Sequence, residues 1–163
     1  KINYLLSRYF IGLILQMTIL FILYLIVLLI FGVQNAFIIA FISALLNIIP
    51  YIGPLIATAL TILLTLLGLM GPETQGEMFS TTLYVFIGYC IAQAIDNNVS
   101  TPLIFSNSVN SHPLEIFIVI LASGFVFGIL GMIVAVPLYT CIKVVAKEFL
   151  PHNPVVRILT KDL

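Results

Sequence analysis

Within the stretch QAIDNN, one carboxylate, Asp96, stands among amides: Gln93 one turn before it, and Asn97 and Asn98 directly after. No other formal charge occurs from Met78 to Leu114. A lone carboxylate in an uncharged, apolar setting suits a cation site, a proton carrier or the partner of a buried base. The neighbouring amides could complete the shell of a sodium ion or hold a polyhydroxylated solute. The same residues also suit a plainer role, because Asp and Asn bond to local backbone and readily end one helix and cap the next. Spacing leaves both readings open. Asn47, three residues before Pro50, is a further candidate contact, or a group that satisfies carbonyls orphaned by the prolines.

The surroundings decide what kind of protein holds these groups. Six acidic and six basic residues in 163, with 62% hydrophobic residues, describe a chain built for lipid, since soluble domains carry about a quarter charged residues. From Tyr9 to Pro72 no residue has a formal charge. That run is more than three times the roughly 20 residues one helix needs to cross about 30 Å of hydrocarbon. Leu13 to Phe31 is apolar on every face, unlike the alternating strands of an outer-membrane barrel. The expected fold is all-α, a polytopic transmembrane helical bundle with short, Pro/Gly-broken or re-entrant helices. Its first partner is the lipid bilayer.

Five apolar segments follow: Tyr9 to Phe31, Ala36 to Ile49, Leu55 to Leu69, Phe79 to Ile95 and Leu114 to Val136. The second ends in IIPYIGP, where Pro50, Gly53 and Pro54 must turn or break the chain. The fifth carries Gly124, Gly128 and Gly131 near its middle. Between the fourth and fifth, DNNVSTPLIFSNSVNSHP reads as irregular chain. In NSHPLE, His112 reads as a cap, Pro113 as the first helical residue and Glu115 as a complement to the helix dipole.

Cations favour the cytoplasmic side of inner membranes. Lys1 and Arg8 precede the first segment, and Lys143, Lys147, Arg157 and Lys161 follow the fifth, which places both ends inside. The first segment then runs out, the second in and the third out, with GPETQGE outside. The fourth returns Asp96 to the inner side. The fifth must double back as a hairpin with its tip at the glycines, the alternative being one long helix that breaks the charge rule. Irregular backbone at membrane depth builds sites in secondary transporters. The plainer accounts are a surface turn for Pro50 to Pro54 and close helix packing through the Gly124/Gly128 pair.

Enzymatic signatures are missing: there is no HExxH, no GxSxG, no second intramembrane aspartate and no phosphate loop. Cys90 and Cys141 are 51 positions apart and read as core residues, and with two histidines nothing has metal-ligand spacing. Neither a cofactor nor a metal is expected. A net charge of zero gives no footprint for nucleic acid.

IIPYIGP, IDNNVSTPLIFSNSVNSHPL and GFVFGILGMIVAVPL, in that order, resemble the bacterial autoinducer-2 exporter family, from about Tyr4 to Glu148. The resemblance implies an exporter of small molecules, named for a quorum-sensing signal, with some members resembling sodium or lithium/proton antiporters. It carries over Pro50, Gly53, Pro54, Asp96, Asn97, Pro102, Pro113, Gly124, Gly128, Gly131 and Pro137. Pro50, Gly53, Pro54, Gly124, Gly128, Gly131 and Pro137 are expected hinges or helix breaks. Asp96, Asn97, Asn98, Gln93 and Asn47 are the expected contacts to a small polar solute, sodium or a proton. Family members are about twice as long, so the chain matches their carboxy-terminal half and reads as a fragment or a shortened homologue. Residues 1–150 are expected to form a transmembrane domain in the bacterial inner membrane, with 151–163 a cytoplasmic tail. A homo-oligomer is expected, because so small and apolar a bundle would otherwise show its short helices to lipid. The competing class is a membrane scaffold that oligomerises through its glycines and carries nothing.

Overall fold

A computed structural model describes residues 2–71, 76–105, 112–149 and 156. Glu73, residues 106–111 and the tail cations Arg157 and Lys161 lie outside the described residues. Among those described, every element is helical: α1 (Ile2–Ile30), α2 (Ala36–Leu46), α3 (Ile52–Gly68), α4 (Met78–Ile95), a π-helical turn (Asp96–Ser100), α5 (Thr101–Phe105) and α6 (Pro113–Phe149). The chain forms two compact units, Leu13–Ile104, and Lys1–Gly12 with Phe105–Leu163.

Three stretches are long and apolar enough to cross a bilayer, Ser7–Ile30, Met78–Ile104 and Leu114–Lys147. The third does not run straight. Gly128 has φ 64° and ψ −150° inside α6, a backbone region open essentially to glycine alone. Glu115 contacts Lys143, 28 residues on, although a straight helix would hold them about 42 Å apart. Segment five is therefore the hairpin that the charge distribution requires, and the single long helix is excluded. Its first arm, from Pro113 to the break at Gly128, is short, about 22 Å, while the second is longer, because Pro137 does not end it and it runs on to Phe149. A Cβ on Gly131 would overlap the Ser123 carbonyl oxygen and lie 2.7 Å from Phe127 Cβ, and one on Gly124 would overlap the Met132 side chain. The glycines thus close the tip at contact distance. Gly128→Ala is expected to cost roughly 1–3 kcal/mol from backbone strain alone, read as a lower melting temperature in detergent.

The other unit is organised by small residues. α2 and α3 form a hairpin whose facing positions are Ala36, Ala40, Ser43 and Ala44 on one helix and Gly53, Ala57, Thr61 and Thr65 on the other, all buried. The IIPYIGP break is the turn of this hairpin. Tyr51 sits at its apex with φ 64° and ψ −52°, and Ile52 N–H donates to the Pro50 carbonyl at 2.7 Å. That is a γ-turn of the strained, positive-φ kind. At 11 residues, α2 is about 16 Å long and too short to cross. The inward crossing expected for the second segment is thus replaced by a short arm of a hairpin. α1 packs on α4 where Gly88 admits Val27, since a Cβ there would lie 2.5 Å from Val27 Cγ1. Leu20, Tyr24 and Leu28 of α1 share one buried face, and with Val85, Tyr89 and Ala92 of α4 and the alanines of α2 they make the core.

One sequence expectation fails outright. DNNVSTPLI is not irregular chain but helix, so that α4 continues through the π turn to Phe105. Asp96 does not end a helix. The Thr101 N–H reaches back five residues to the Asp96 carbonyl, which inserts an extra residue into the turn. Pro102 supplies a reason, because it has no N–H to continue the α pattern and is tolerated in the first turn of α5.

Candidate functional site

The extra residue in the π turn controls where Asp96 points. On α4, Thr82, Val85, Tyr89 and Ala92 form the inward face, and Asp96 and Ser100 extend it. Asp96 is 2% exposed. Its Oδ2 accepts hydrogen bonds from Gln16 Nε2 at 2.7 Å and Thr101 Oγ1 at 3.3 Å, and Gln16 Nε2 also reaches Thr101 Oγ1 at 3.1 Å. The Ser100 hydroxyl lies beside the carboxyl, but Oδ1 is buried without a hydrogen bond of ordinary geometry among the described residues. No cation is among these partners. A carboxylate held in this way on neutral donors, with one oxygen uncommitted, can take up a proton, a cation or a donor group of a solute without breaking an ion pair.

A second polar cluster lies in the same unit and reaches into the core. Tyr24 Oη donates to Gln93 Oε1 at 2.8 Å and accepts from Asn47 Nδ2 at 3.2 Å. Asn47 Nδ2 also donates to the Ser43 carbonyl at 2.7 Å, so this amide does satisfy backbone beside the break and at the same time joins the interior network. Gln93 Nε2 reaches Asn97 Oδ1 at 3.5 Å. Deeper in, the Ser43 and Thr61 hydroxyls share a hydrogen bond of 2.9 Å. The Tyr89 ring stacks on Tyr24 with centroids 4.1 Å apart, and its hydroxyl lies beside Ser43 and Thr61 without a hydrogen bond of ordinary geometry. Thr65 Oγ1 is likewise buried and unpartnered among the described residues. From Asp96 to Thr82 this inward face is 14 residues of α4 and its continuation, about 21 Å.

The two stacked tyrosines should respond differently to loss of their hydroxyls. Tyr24→Phe takes the shared partner from half-buried Gln93 and from Asn47, which keeps its bond to the Ser43 carbonyl, and is expected to cost about 1–3 kcal/mol. Tyr89→Phe removes a hydroxyl with no bond to lose and is expected to be neutral within about 0.5 kcal/mol. Melting both variants in one detergent checks the contrast.

The structure buries Asp96 and Asn47 and half-buries Gln93, while Asn97, which Gln93 reaches, and Asn98, with its amide on the Ala94 carbonyl at 2.8 Å, are both exposed. Sequence reading missed Gln16, Tyr24, Ser43, Thr61, Tyr89 and Thr101. A signal for three of them exists: Gln16 and Tyr24 are eight residues apart in α1, hence on one face, and Tyr89 precedes Gln93 by four. Pro50, Gly53 and Pro54 form the α2–α3 turn beside Asn47. Gly124, Gly128, Gly131 and the buried Pro137 belong to the α6 hairpin of the other unit.

Glu115 stands where expected and does more than expected. The helix start is as read, with His112 Nδ1 accepting from Leu114 N–H at 3.3 Å, Pro113 first in α6 and Glu115 in its first turn. The carboxylate also has partners that the sequence did not show. It takes the Tyr139 hydroxyl and the Lys143 ammonium at 3.4 Å. Lys143 is 4% exposed and so is not a free cation at a membrane surface. Cys90 and Cys141 are unbridged, and no group of metal-ligating residues occurs among those described.

Comparison with known proteins gives a concordant picture. The sequence profile of the family described as AI-2E family transporter matches residues 1–150. The chain is 36% identical over 115 residues to the "Putative transport protein YueF" of Bacillus subtilis (strain 168), covering 71% of this chain and 29% of that protein. It is 35% identical over 123 residues to the "Putative transport protein YrrI" of the same organism, covering 74% and 32%. A 60-residue stretch is 43% identical to the "Putative permease PerM" of Escherichia coli (strain K12), 37% of this chain and 17% of that one. The chain thus spans about a third of the length of the first two relatives. No solved structure matches it.

Proposed function

The chain belongs to the AI-2E transporter family, and from that premise we propose that it is the part of a bacterial membrane transporter that carries the substrate-contact site, exporting a small polar molecule past Asp96. The observation that carries this reading is the buried carboxylate on a π turn, whose hydrogen-bond partners among the described residues are neutral donors, beside a second cluster of polar side chains in the same unit. π turns are rare and recur at functional sites. A buried carboxylate with no basic partner among the described residues is costly to keep in a membrane, and such residues mark substrate and ion paths. Gln16, Gln93, Asn97 and Asn47 are the accompanying contacts, the α2–α3 turn is the first helix break beside them, and the bacterial inner membrane is the setting.

The same carboxylate supports a second reading, exchange of sodium or lithium for protons, because Oδ1 can alternate between a proton and a small cation. Of the two glycines that the scaffold reading relies on, Gly124 is taken up by Met132 within the hairpin, while Gly128 has nothing within 4 Å; family membership favours transport over that reading. A homo-oligomer remains compatible with either transport reading, as does the cytoplasmic placement of both ends.

Transport by the full-length protein in proteoliposomes, under imposed sodium and proton gradients with and without autoinducer-2, separates the two. Export is expected to show solute movement. Ion flux that needs no organic solute would establish exchange instead, and neither movement under any gradient would overturn both.

A further inference from the structure

Glu115, Tyr139 and Lys143 are membrane-segment residues that the proposed path does not use. They lie in the unit that contains the α6 hairpin, and their spacing around its tip is regular. Glu115 is 13 residues before Gly128, while Tyr139 and Lys143 are 11 and 15 residues after it. The carboxylate therefore stands level with the gap between two residues one helical turn apart, about 20 Å from the tip along each arm. It accepts from both: the Tyr139 hydroxyl on Oε1, and the Lys143 ammonium at 3.4 Å from Oε1 and 3.5 Å from Oε2. The ammonium also lies 5.5 Å from the Tyr139 ring centroid. All three contacts cross from one arm to the other or brace the group that does.

We propose that Glu115, Tyr139 and Lys143 form an ionic clasp at the open end of the α6 hairpin, positioning residues that fix the register of its two arms so that the hairpin works in transport as one rigid piece. Two observations carry it. At the tip the arms are held by contact alone, because Gly124 and Gly131 leave no room for a Cβ, but apolar packing against small residues is poor at specifying axial register. The open end has the opposite chemistry, a nearly fully buried ammonium that cannot move along the partner arm without losing its carboxylate. A buried ion pair adds little net stability over an apolar pair, yet removing one member leaves an uncompensated charge. Its best-attested use is to set register. Sliding by one helical turn would carry Glu115 past one of its partners. The side chains at the tip are apolar and exposed, Phe125 to 90%, so they supply no polar constraint of their own.

The test is a distance measurement between spin labels at Ile118 and Ile142, exposed positions on the two arms, in full-length protein whose Cys90 and Cys141 have been replaced. A narrow distribution is expected for the parent. Glu115→Gln and Lys143→Met should each broaden or shift it and lower the initial transport rate, and the exchange Glu115→Lys with Lys143→Glu should restore both. If a single variant fails to fold, recovery of folding in the exchanged pair carries the same weight. Single variants that keep the narrow distribution, or an exchanged pair no better than the singles, would overturn the clasp. The distance readout needs no transported solute, so its failure is distinguishable from failure of the reading built on Asp96.

Discussion

Asp96→Asn is expected to lower the initial rate of transport by about tenfold or more, equivalent to about 1.4 kcal/mol or more of lost interaction, while the protein folds as well as before. The two halves of that expectation have separate physical grounds. Asparagine keeps an acceptor oxygen where Gln16 Nε2 and Thr101 Oγ1 donate, at 2.7 and 3.3 Å, so the π turn retains its internal bonds. It also removes a charge that the burial of Asp96 makes costly to hold, and the melting temperature should be unchanged or raised. What disappears is the ability of Oδ1 to bind a proton or cation, since an amide nitrogen accepts nothing. Initial rates in proteoliposomes, with melting in the same detergent, check both halves. Asp96→Glu should recover part of the rate, because the carboxylate remains but no longer meets Gln16 at the same geometry. Unchanged rate and unchanged gradient dependence in Asp96→Asn would remove Asp96 from the transport path.

The second large effect concerns stability. Gly53→Ala is expected to cost about 3 kcal/mol or more, beyond the usual range for an added methyl group in a packed interior. A Cβ there would overlap the Leu46 carbonyl oxygen and lie 2.8 Å from its carbon and 3.0 Å from Asn47 Cα. All three are backbone atoms, so no side-chain rotation relieves the clash and α2 must separate from α3. Asn47 would move with it, away from Tyr24 Oη. Gly68→Ala, in the same helix, provides the control. Its Cβ would meet only Gln34 Cβ, at 4.0 Å, and alanine is the better helix former by roughly 0.5–1 kcal/mol. The two glycine variants should therefore shift the melting temperature in opposite directions, or by very different amounts. Equal stability of Gly53→Ala and the parent would mean that the hairpin is not packed as described.

Much of the architecture can be read without coordinates because its causes are local. Long uncharged runs specify membrane helices through their length and apolarity alone. Proline at 50 and 54 and glycine at 53, 124, 128 and 131 mark breaks because the missing N–H and missing Cβ are properties of those residues themselves. The cations at both ends point to a hairpin in the fifth segment, through an electrostatic rule that takes no account of packing. Asp96 is conspicuous for the same kind of reason, as a charge where none is expected.

What could not be read depends on which distant groups the fold brings together. The polar residues after Asp96 favour local turns when considered in isolation, but here Gln16, 80 residues earlier, supplies the partner that lets the chain stay helical and turn its carboxylate inward. Tyr24 looks like one aromatic in an apolar helix until Gln93 and Asn47 meet its hydroxyl. Glu115 looks like a helix-start charge until the second arm of its hairpin returns Lys143 to it. The sequence by itself determined the membrane setting, the helices and their breaking points, all consequences of side-chain solvation and backbone sterics. Only the tertiary structure decided which carboxylate is left with a free oxygen and which is neutralised by an ammonium. Desolvated polar groups take their character from partners, and those partners are chosen by packing between helices far apart in the chain.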